Sequence, residues 1–301
     1  MPDAVSVHAP AKVNLRLSIL SREASGYHSL ESLFCAISLA DRVTVRRAEA
    51  GVELRVDGDV DTGPPERNLA VRAARSFCAA VGEEPAVAID LVKRIPSAAG
   101  LGGGSSDAAA TLRALNSLHG EPLERDALLQ LAIGLGSDVP FFLCGSPLAL
   151  GWGRGERLLA LPALPARPVL VAHPGTAMPT AEAFAEIAAR RDSVATPRSF
   201  LMLPADLTDW GGVARIAEND FDAPVTARIP VLRDALAAMR GAGAEVALLA
   251  GSGSAVFGVF RDDSARDRAR SATEALGLTG WSAATLESVP SPRLDRSGGI
   301  A

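Results

Sequence analysis

The sequence predicts a water-soluble α+β protein of two domains, and three observations carry that prediction. Apolar residues alternate with polar ones at Val5, Val7, Val13, Leu15, Leu17 and Ile19, a period of two that makes strands with one buried face. Helix-period stretches such as Leu69, Ala73, Phe77 and Val81 are interleaved with the strands. The segment from about Leu148 to Ala166 is rich in Gly, Pro and Leu and marks a boundary, giving domains 1–160 and 161–301. At 301 residues, 48% hydrophobic and 22% charged, the chain has enough apolar material for two modest cores.

Composition also excludes. A net charge of −5 without a basic stripe points away from nucleic acid. No apolar span is long enough to cross a bilayer, and Met1-Pro2-Asp3-Ala4 opens no signal peptide. Three scattered cysteines (Cys35, Cys78, Cys144) form neither a disulfide framework nor a metal cluster, so the expected location is the cytoplasm.

In chain order, Lys12 and Asn14 share the polar face of the first strand region, and Ser25-Gly26-Tyr27-His28 is a turn. Tyr27 and His28 there either cap the core or stack on and hydrogen-bond a planar ligand. Residues 30–37, 42–47 and 52–57 are strands, most simply an antiparallel meander. Asn68 caps a helix running to about Val81, and 86–93 is a strand. Pro96-Ser97-Ala98-Ala99-Gly100-Leu101-Gly102-Gly103-Gly104-Ser105-Ser106-Asp107 then joins that strand to a helix ending near Gly120, with Ser105, Ser106 and Asp107 as candidate caps. Such glycines admit a ligand close to the backbone, and free N–H groups at a helix start bind anions. The loop has neither the Gly-Lys-Ser/Thr of a Walker loop nor dinucleotide-fold spacing.

A helix from about Pro122 leads to Gly136-Ser137-Asp138-Val139-Pro140, where Asp138 is either a helix cap or a base held by a cation such as Lys12. Further on, Pro168–His173 is a strand, a helix carries Phe184, and another runs from 224 to 240. Strands at 246–249 and 256–260 flank the small-residue turn Ala250-Gly251-Ser252-Gly253-Ser254. A helix at 264–276, a strand near 281–286 and a loose tail, 287–301, complete the chain; 194–215 suggests no clear element. Two ligand-type loops from different halves suggest a ligand between the domains. The residues alone point to a bound nucleotide and leave its chemistry open.

These motifs resemble a known family. Ala9-Pro10-Ala11-Lys12-Val13-Asn14-Leu15, the Pro96–Ser106 loop and Ala250–Ala255 are similar to the three motifs of the galactokinase/homoserine/mevalonate/phosphomevalonate (GHMP) kinases. Gly26-Tyr27-His28-Ser29-Leu30, Gly136–Pro140 and Asn219-Asp220-Phe221 further resemble the branch that uses ATP and Mg²⁺ to phosphorylate the 2-hydroxyl of 4-diphosphocytidyl-2-C-methyl-D-erythritol, in the non-mevalonate (methylerythritol phosphate) route to isoprenoids. The resemblance implies a GHMP-kinase-like two-domain fold, a ribosomal-protein-S5-like N-terminal domain followed by a ferredoxin-like sandwich. It implies a monomer or weak homodimer without membrane or nucleic-acid partners. It implies Asp138 as the base, with Lys12 paired to it, and Asn14 orienting the substrate. Tyr27, His28 and Phe184 would clamp cytosine, with Thr180 nearby; Ala181 stands where the family often has proline. For ATP it implies Pro96, Ala98, Ala99, Gly100, Leu101, Gly102, Gly103, Gly104, Ser105 and Ser106 at the phosphates, Asn68 and Lys93 near adenine and ribose, and Ser106 as the hydroxyl linked to Mg²⁺. The alternatives are another GHMP small-molecule kinase, acting on homoserine or a mevalonate derivative, and an inactive nucleotide-binding regulator.

Overall fold

The computed structural model describes residues 3–22, 28–58, 63–176, 178–191 and 200–295. The alternating N-terminal run forms one 19-residue strand, β1 (Ala4–Arg22), rather than two. It pairs antiparallel along most of its length with β2 (His28–Arg47), and the register shifts at Pro10/Ala11, Asn14/Arg16 and Ile19/Ser21. Each shift is a bulge that bends the ribbon and re-aims side chains.

The expected meander is corrected here. Residues 30–47 are one strand, and β3 (Gly51–Asp57) pairs parallel with β4 (Ala86–Val92), which lies between it and β2. A period of two marks a strand but not its partner. The crossover α1 (Leu69–Val81) buries Phe77, Ala70 and Ala73, and that burial requires a parallel β–α–β unit. Asn68 caps α1 as expected, its side-chain oxygen accepting from the Ala70 N–H.

The glycine loop leads into α2 (Gly103–Leu118), and α3 (Arg125–Leu135) follows. The helix after 120 thus begins at Arg125, later than the Pro122 expected from sequence. β5 (Leu148–Gly153) pairs with residues 30–35 of β2 and carries β6 (Arg157–Leu161). A second sheet starts with β7 (Pro168–His173), followed by α4 (Thr180–Arg191), a 3-10 turn at Pro204–Leu207 and α5 (Trp210–Ile216). α4 is the expected helix carrying Phe184, and the last two fall across the 194–215 region that the sequence left unassigned. β8 (Glu218–Asn219) returns to pair parallel with β1 at Arg16 and Leu17.

The single helix expected at 224–240 is two, α6 (Asp222–Arg228) and α7 (Pro230–Gly241), because a proline disfavours helical geometry in the residue before it. β9 (Val246–Leu249), β10 (Val256–Val259), α8 (Asp263–Ala275) and β11 (Thr279–Ala284) complete the second sheet, in the order β11-β7-β10-β9. That order and connectivity make the ferredoxin-like sandwich. The loose tail expected at 287–301 is corrected at 293–295, where β12 (Arg293–Asp295) pairs with β1 at Ala4–Ser6 and completes the ladder of an otherwise open edge; 296–301 lie outside the described residues.

Three apolar clusters stack the layers. Helices α1 to α3 cover one face of the first sheet through Phe77, Leu112, Leu115 and Val45. Val13, Leu15 and Leu33 on its other face meet Val171 and Phe257 of the second sheet. Helices α7 and α8 close the far side over Leu236, Met239 and Phe260. Among the described residues, no helix is long and apolar enough to cross a membrane.

Candidate active site

Two glycine loops from opposite halves meet backbone to backbone. Gly100 has φ +79°, and a Cβ there would lie 1.8 Å from the Ala250 carbonyl oxygen, so only glycine fits. The Ala255 N–H donates to Ala99 O at 3.3 Å across the same junction, and the Lys12 N–H donates to Leu101 O at 2.9 Å. Gly102, at φ +70°, is the residue before α2, so the first N–H groups of this 16-residue helix point out of the loop with the positive end of its dipole. The helix therefore starts before Ser105, Ser106 and Asp107, and the expectation that these three cap it is corrected.

The loop roofs a pocket of about 370 Å³ lined by Asn68, Lys93, Ile95 and every residue from Pro96 to Ser105. That set holds the expected ATP residues Pro96, Ala98, Ala99, Gly100, Leu101, Gly102, Gly103 and Gly104 together. Ser106 is not in it. Its hydroxyl is buried with no hydrogen-bond partner among the described residues, and it lines a separate small cavity beside Arg113, Phe141 and Phe142. Ser106, the hydroxyl expected at Mg²⁺, thus lies outside this pocket: one helical residue's rotation puts Ser105 toward the ligand side and Ser106 into the core.

Lys93 has a different setting from the one expected for it. Its ammonium is buried between Asp41 and Asp107, at 2.8 Å from the latter, while Asp41 also accepts from the Ile95 N–H at 2.9 Å. Burial pushes the Asp107 carboxyl up to about 7 against the lowering pull of Lys93, and the two carboxylates raise the lysine. This triad ties β2, the entry to the loop and the first turns of α2 into one unit.

Beyond the loop a larger cleft, about 1350 Å³, shares Gly100, Gly102 and Ser105 with the smaller pocket. Its walls include Lys12, Asn14, Phe34, Asp138, Thr180, Ala181 and Phe184. Lys12 Nζ lies 3.5 Å from Asp138 Oδ2 and donates to Asn14 Oδ1 at 2.9 Å. The lysine is buried, whereas the aspartate side chain keeps 30% of its surface open to the cleft. Two glycines make room for it: a Cβ on Gly102 would meet Lys12 Cγ at 3.0 Å, and one on Gly251 would meet Nζ at 3.2 Å. Asp138 caps no helix; it sits in the turn after α3, anchored by the buried Val139, Pro140, Phe141 and Phe142. The bulge between Asn14 and Arg16 sends Arg16 away from the cleft, to Glu31, Glu218 and the Ile216 carbonyl, and lets Leu17 line it instead.

On the opposite wall Phe184 meets Phe221 edge-on, ring centres 5.0 Å apart, and Thr180 Oγ1 lies 3.1 Å from Ser252 Oγ. Tyr27 lies outside the described residues. His28 begins β2, but its side chain is also outside them.

Sequence reasoning missed several supports. Asn219 donates to the Leu249 and Gly251 carbonyls at 2.9 and 2.8 Å and accepts from the Phe221 N–H, setting the second loop; only its motif was visible. His173 accepts from the Gly175 N–H at Nδ1 and faces Ser254 Oγ at 3.0 Å through Nε2, and burial lowers its pKa, so it is the neutral, Nε2-protonated form. Asp41 gave no local signal, because its partners lie more than fifty residues away.

Known proteins are similar to this chain in sequence and fold. Residues 68–146 match the model of the GHMP kinases N-terminal domain, and 203–277 that of the GHMP kinases C-terminal domain. A 4-diphosphocytidyl-2-C-methyl-D-erythritol kinase of Methylobacterium radiotolerans is 40% identical over 284 residues, covering 92% of this chain and 97% of its own length. One of the same name from Deinococcus radiodurans is 40% identical over 292 residues, covering 97% and 95%. The crystal structure of a 4-(cytidine 5'-diphospho)-2C-methyl-D-erythritol kinase superposes with a TM-score of 0.77 at 39% identity, covering 93% of this chain and 98% of that one. A homoserine kinase from Cytophaga hutchinsonii, at 21% identity and TM-score 0.72, shares the fold. The chain belongs to the GHMP kinases and, among them, to the family of 4-diphosphocytidyl-2-C-methyl-D-erythritol kinases.

Proposed function

We propose that this chain transfers the γ-phosphoryl group of ATP to the 2-hydroxyl of 4-diphosphocytidyl-2-C-methyl-D-erythritol, giving the 2-phosphate and ADP. The observation that carries the reading is the Lys12–Asp138 pair, set in the larger cleft beside the three loop residues it shares with the smaller pocket. Donor phosphates on the α2 amides and an acceptor in the larger cleft would meet at that pair. Asp138 would accept the hydroxyl proton as the oxygen attacks, and the adjacent ammonium would offset charge on the phosphoryl oxygens. Most of the catalysis is positioning and electrostatics, as expected for phosphoryl transfer.

Phe184, seated on Phe221, offers a flat apolar wall for the cytosine ring, and Tyr27 and His28 are proposed to complete that clamp. Mg²⁺ normally binds through one or two protein oxygens, waters and substrate phosphates, and it would neutralise phosphate charge. The cleft-facing Ser105 hydroxyl and Asp138 carboxylate fit that donor set, and among the described residues no cluster of three or more His, Cys, Asp or Glu offers an all-protein cage. Three buried, unpaired thiols suit the reducing cytoplasm.

An ADP-release assay with a panel of acceptors tests the assignment. The diphosphocytidyl substrate should turn over, while methylerythritol phosphate, homoserine and mevalonate, which bring no planar base, should give background rates. Equal turnover of methylerythritol phosphate would remove the cytidine specificity, and turnover of homoserine or mevalonate alone would replace the substrate.

A further inference from the structure

The Lys12–Asn14 contact is the end of a longer, buried chain of hydrogen bonds. Lys12 Nζ donates to Asn14 Oδ1 at 2.9 Å, Asn14 Nδ2 donates to Ser32 Oγ at 2.7 Å, and Ser32 Oγ donates to the Arg16 carbonyl at 3.0 Å. Lys12, Asn14 and Ser32 are 4%, 2% and 0% exposed. Every direction in this chain is forced. An ammonium only donates and a carbonyl only accepts, so the single hydroxyl proton of Ser32 is committed to Arg16. Toward Asn14 the hydroxyl then presents lone pairs, and the amide must turn its NH₂ to Ser32 and its oxygen to Lys12. The reversed amide would set NH₂ against the ammonium and leave a buried donor without a partner, a costly arrangement.

The strand geometry builds this chain. The bulge between Asn14 and Arg16 brings the Arg16 carbonyl within reach of Ser32, which stands opposite Leu17 on β2. Ser32 does not line the cleft, so it touches neither proposed substrate.

We propose that Ser32 is a positioning residue for phosphoryl transfer, its hydroxyl fixing the Asn14 amide so that the amide oxygen holds the Lys12 ammonium beside Asp138 and the phosphate loop. The proposal rests on the reading of Lys12 and Asp138 as the reacting pair. Supporting groups behind a metal ligand typically set affinity or activity by about 10- to 100-fold, and Ser32, two hydrogen bonds behind Lys12, belongs at the lower end of that range.

The test compares Ser32→Ala, Ser32→Thr, Lys12→Ala and the Ser32→Ala/Lys12→Ala double variant, reading kcat, both KM values and thermal unfolding. Ser32→Ala should lower kcat about tenfold or more, with both KM values little changed. Ser32→Thr, which keeps the hydroxyl, should recover most of the loss. In the Lys12→Ala background, removing the hydroxyl should cost nothing more, because residues acting through one group are not additive. Wild-type kcat in Ser32→Ala overturns the proposal, as does a loss that Thr does not rescue or one that persists in full without Lys12. Lys12→Ala with normal kcat would instead overturn the underlying reading of the reacting pair.

Discussion

Lys12 carries a positive charge in a place where the chain leaves it no freedom: Gly102 and Gly251 flank it, Asn14 holds one N–H, and Asp138 faces it. The shared face of Lys12 and Asn14 was legible from the period of two. Arg16 was not, because the bulge that turns it away leaves no mark in hydropathy. Ser32 and Asp41 were equally silent, since a buried hydroxyl or carboxylate acquires its meaning from partners far along the chain. Asp222 makes a prediction at this scale. It accepts from the Leu249 N–H at 2.9 Å, and burial raises its carboxyl from 3.8 to about 6. A folded pKa above the unfolded one contributes stability that is present in full below about pH 4 and is lost as pH rises through about 6. Asp222→Asn, permanently neutral and still able to accept that bond, should therefore match wild type in acid and exceed it by roughly 3 kcal/mol above about pH 7. Urea melts across that window measure the difference. A pH-independent gap would show that folding does not raise the Asp222 carboxyl.

At the scale of elements, helix and strand positions were read closely from pattern: α1 ends at Val81 and β7 runs from Pro168 to His173, both as expected. Pairing was another matter. The place of β3 outside β4, and the returns of β8 and β12 to β1, are decided by which apolar faces must be covered, a property of three dimensions. The glycine loop was recognised at once, but its rotation was not. One residue of helical phase separates Ser105 in the cleft from Ser106 in the core. The Lys93–Asp41–Asp107 triad fixes that phase by joining β2, the loop and α2. Lys93→Ala would leave two buried carboxylates facing each other without a cation, and it should cost about 3–5 kcal/mol in urea unfolding. A loss below about 1 kcal/mol would mean that the triad does not hold the loop.

Across the whole molecule, the site is assembled from parts that no single domain contains. The sheet-on-sheet core around Val13, Leu33, Val171 and Phe257 fixes the two halves against each other. The contact of Gly100 with Ala250 then becomes a rigid seam between the donor loop and the acceptor wall. The two ligand loops were visible in sequence, and so was the suggestion of a cleft between halves; their direct backbone contact was not, because glycine records where a side chain is excluded without naming what excludes it. The proposed reaction requires this seam to present a nucleotide to Asp138 paired with Lys12. It is tested most directly by Asp138→Asn, which keeps the shape and removes the base. In this variant kcat should fall by about 10²–10⁴-fold, while ATP binding measured by calorimetry should stay within about twofold of wild type. A near-normal kcat in this variant would contradict it.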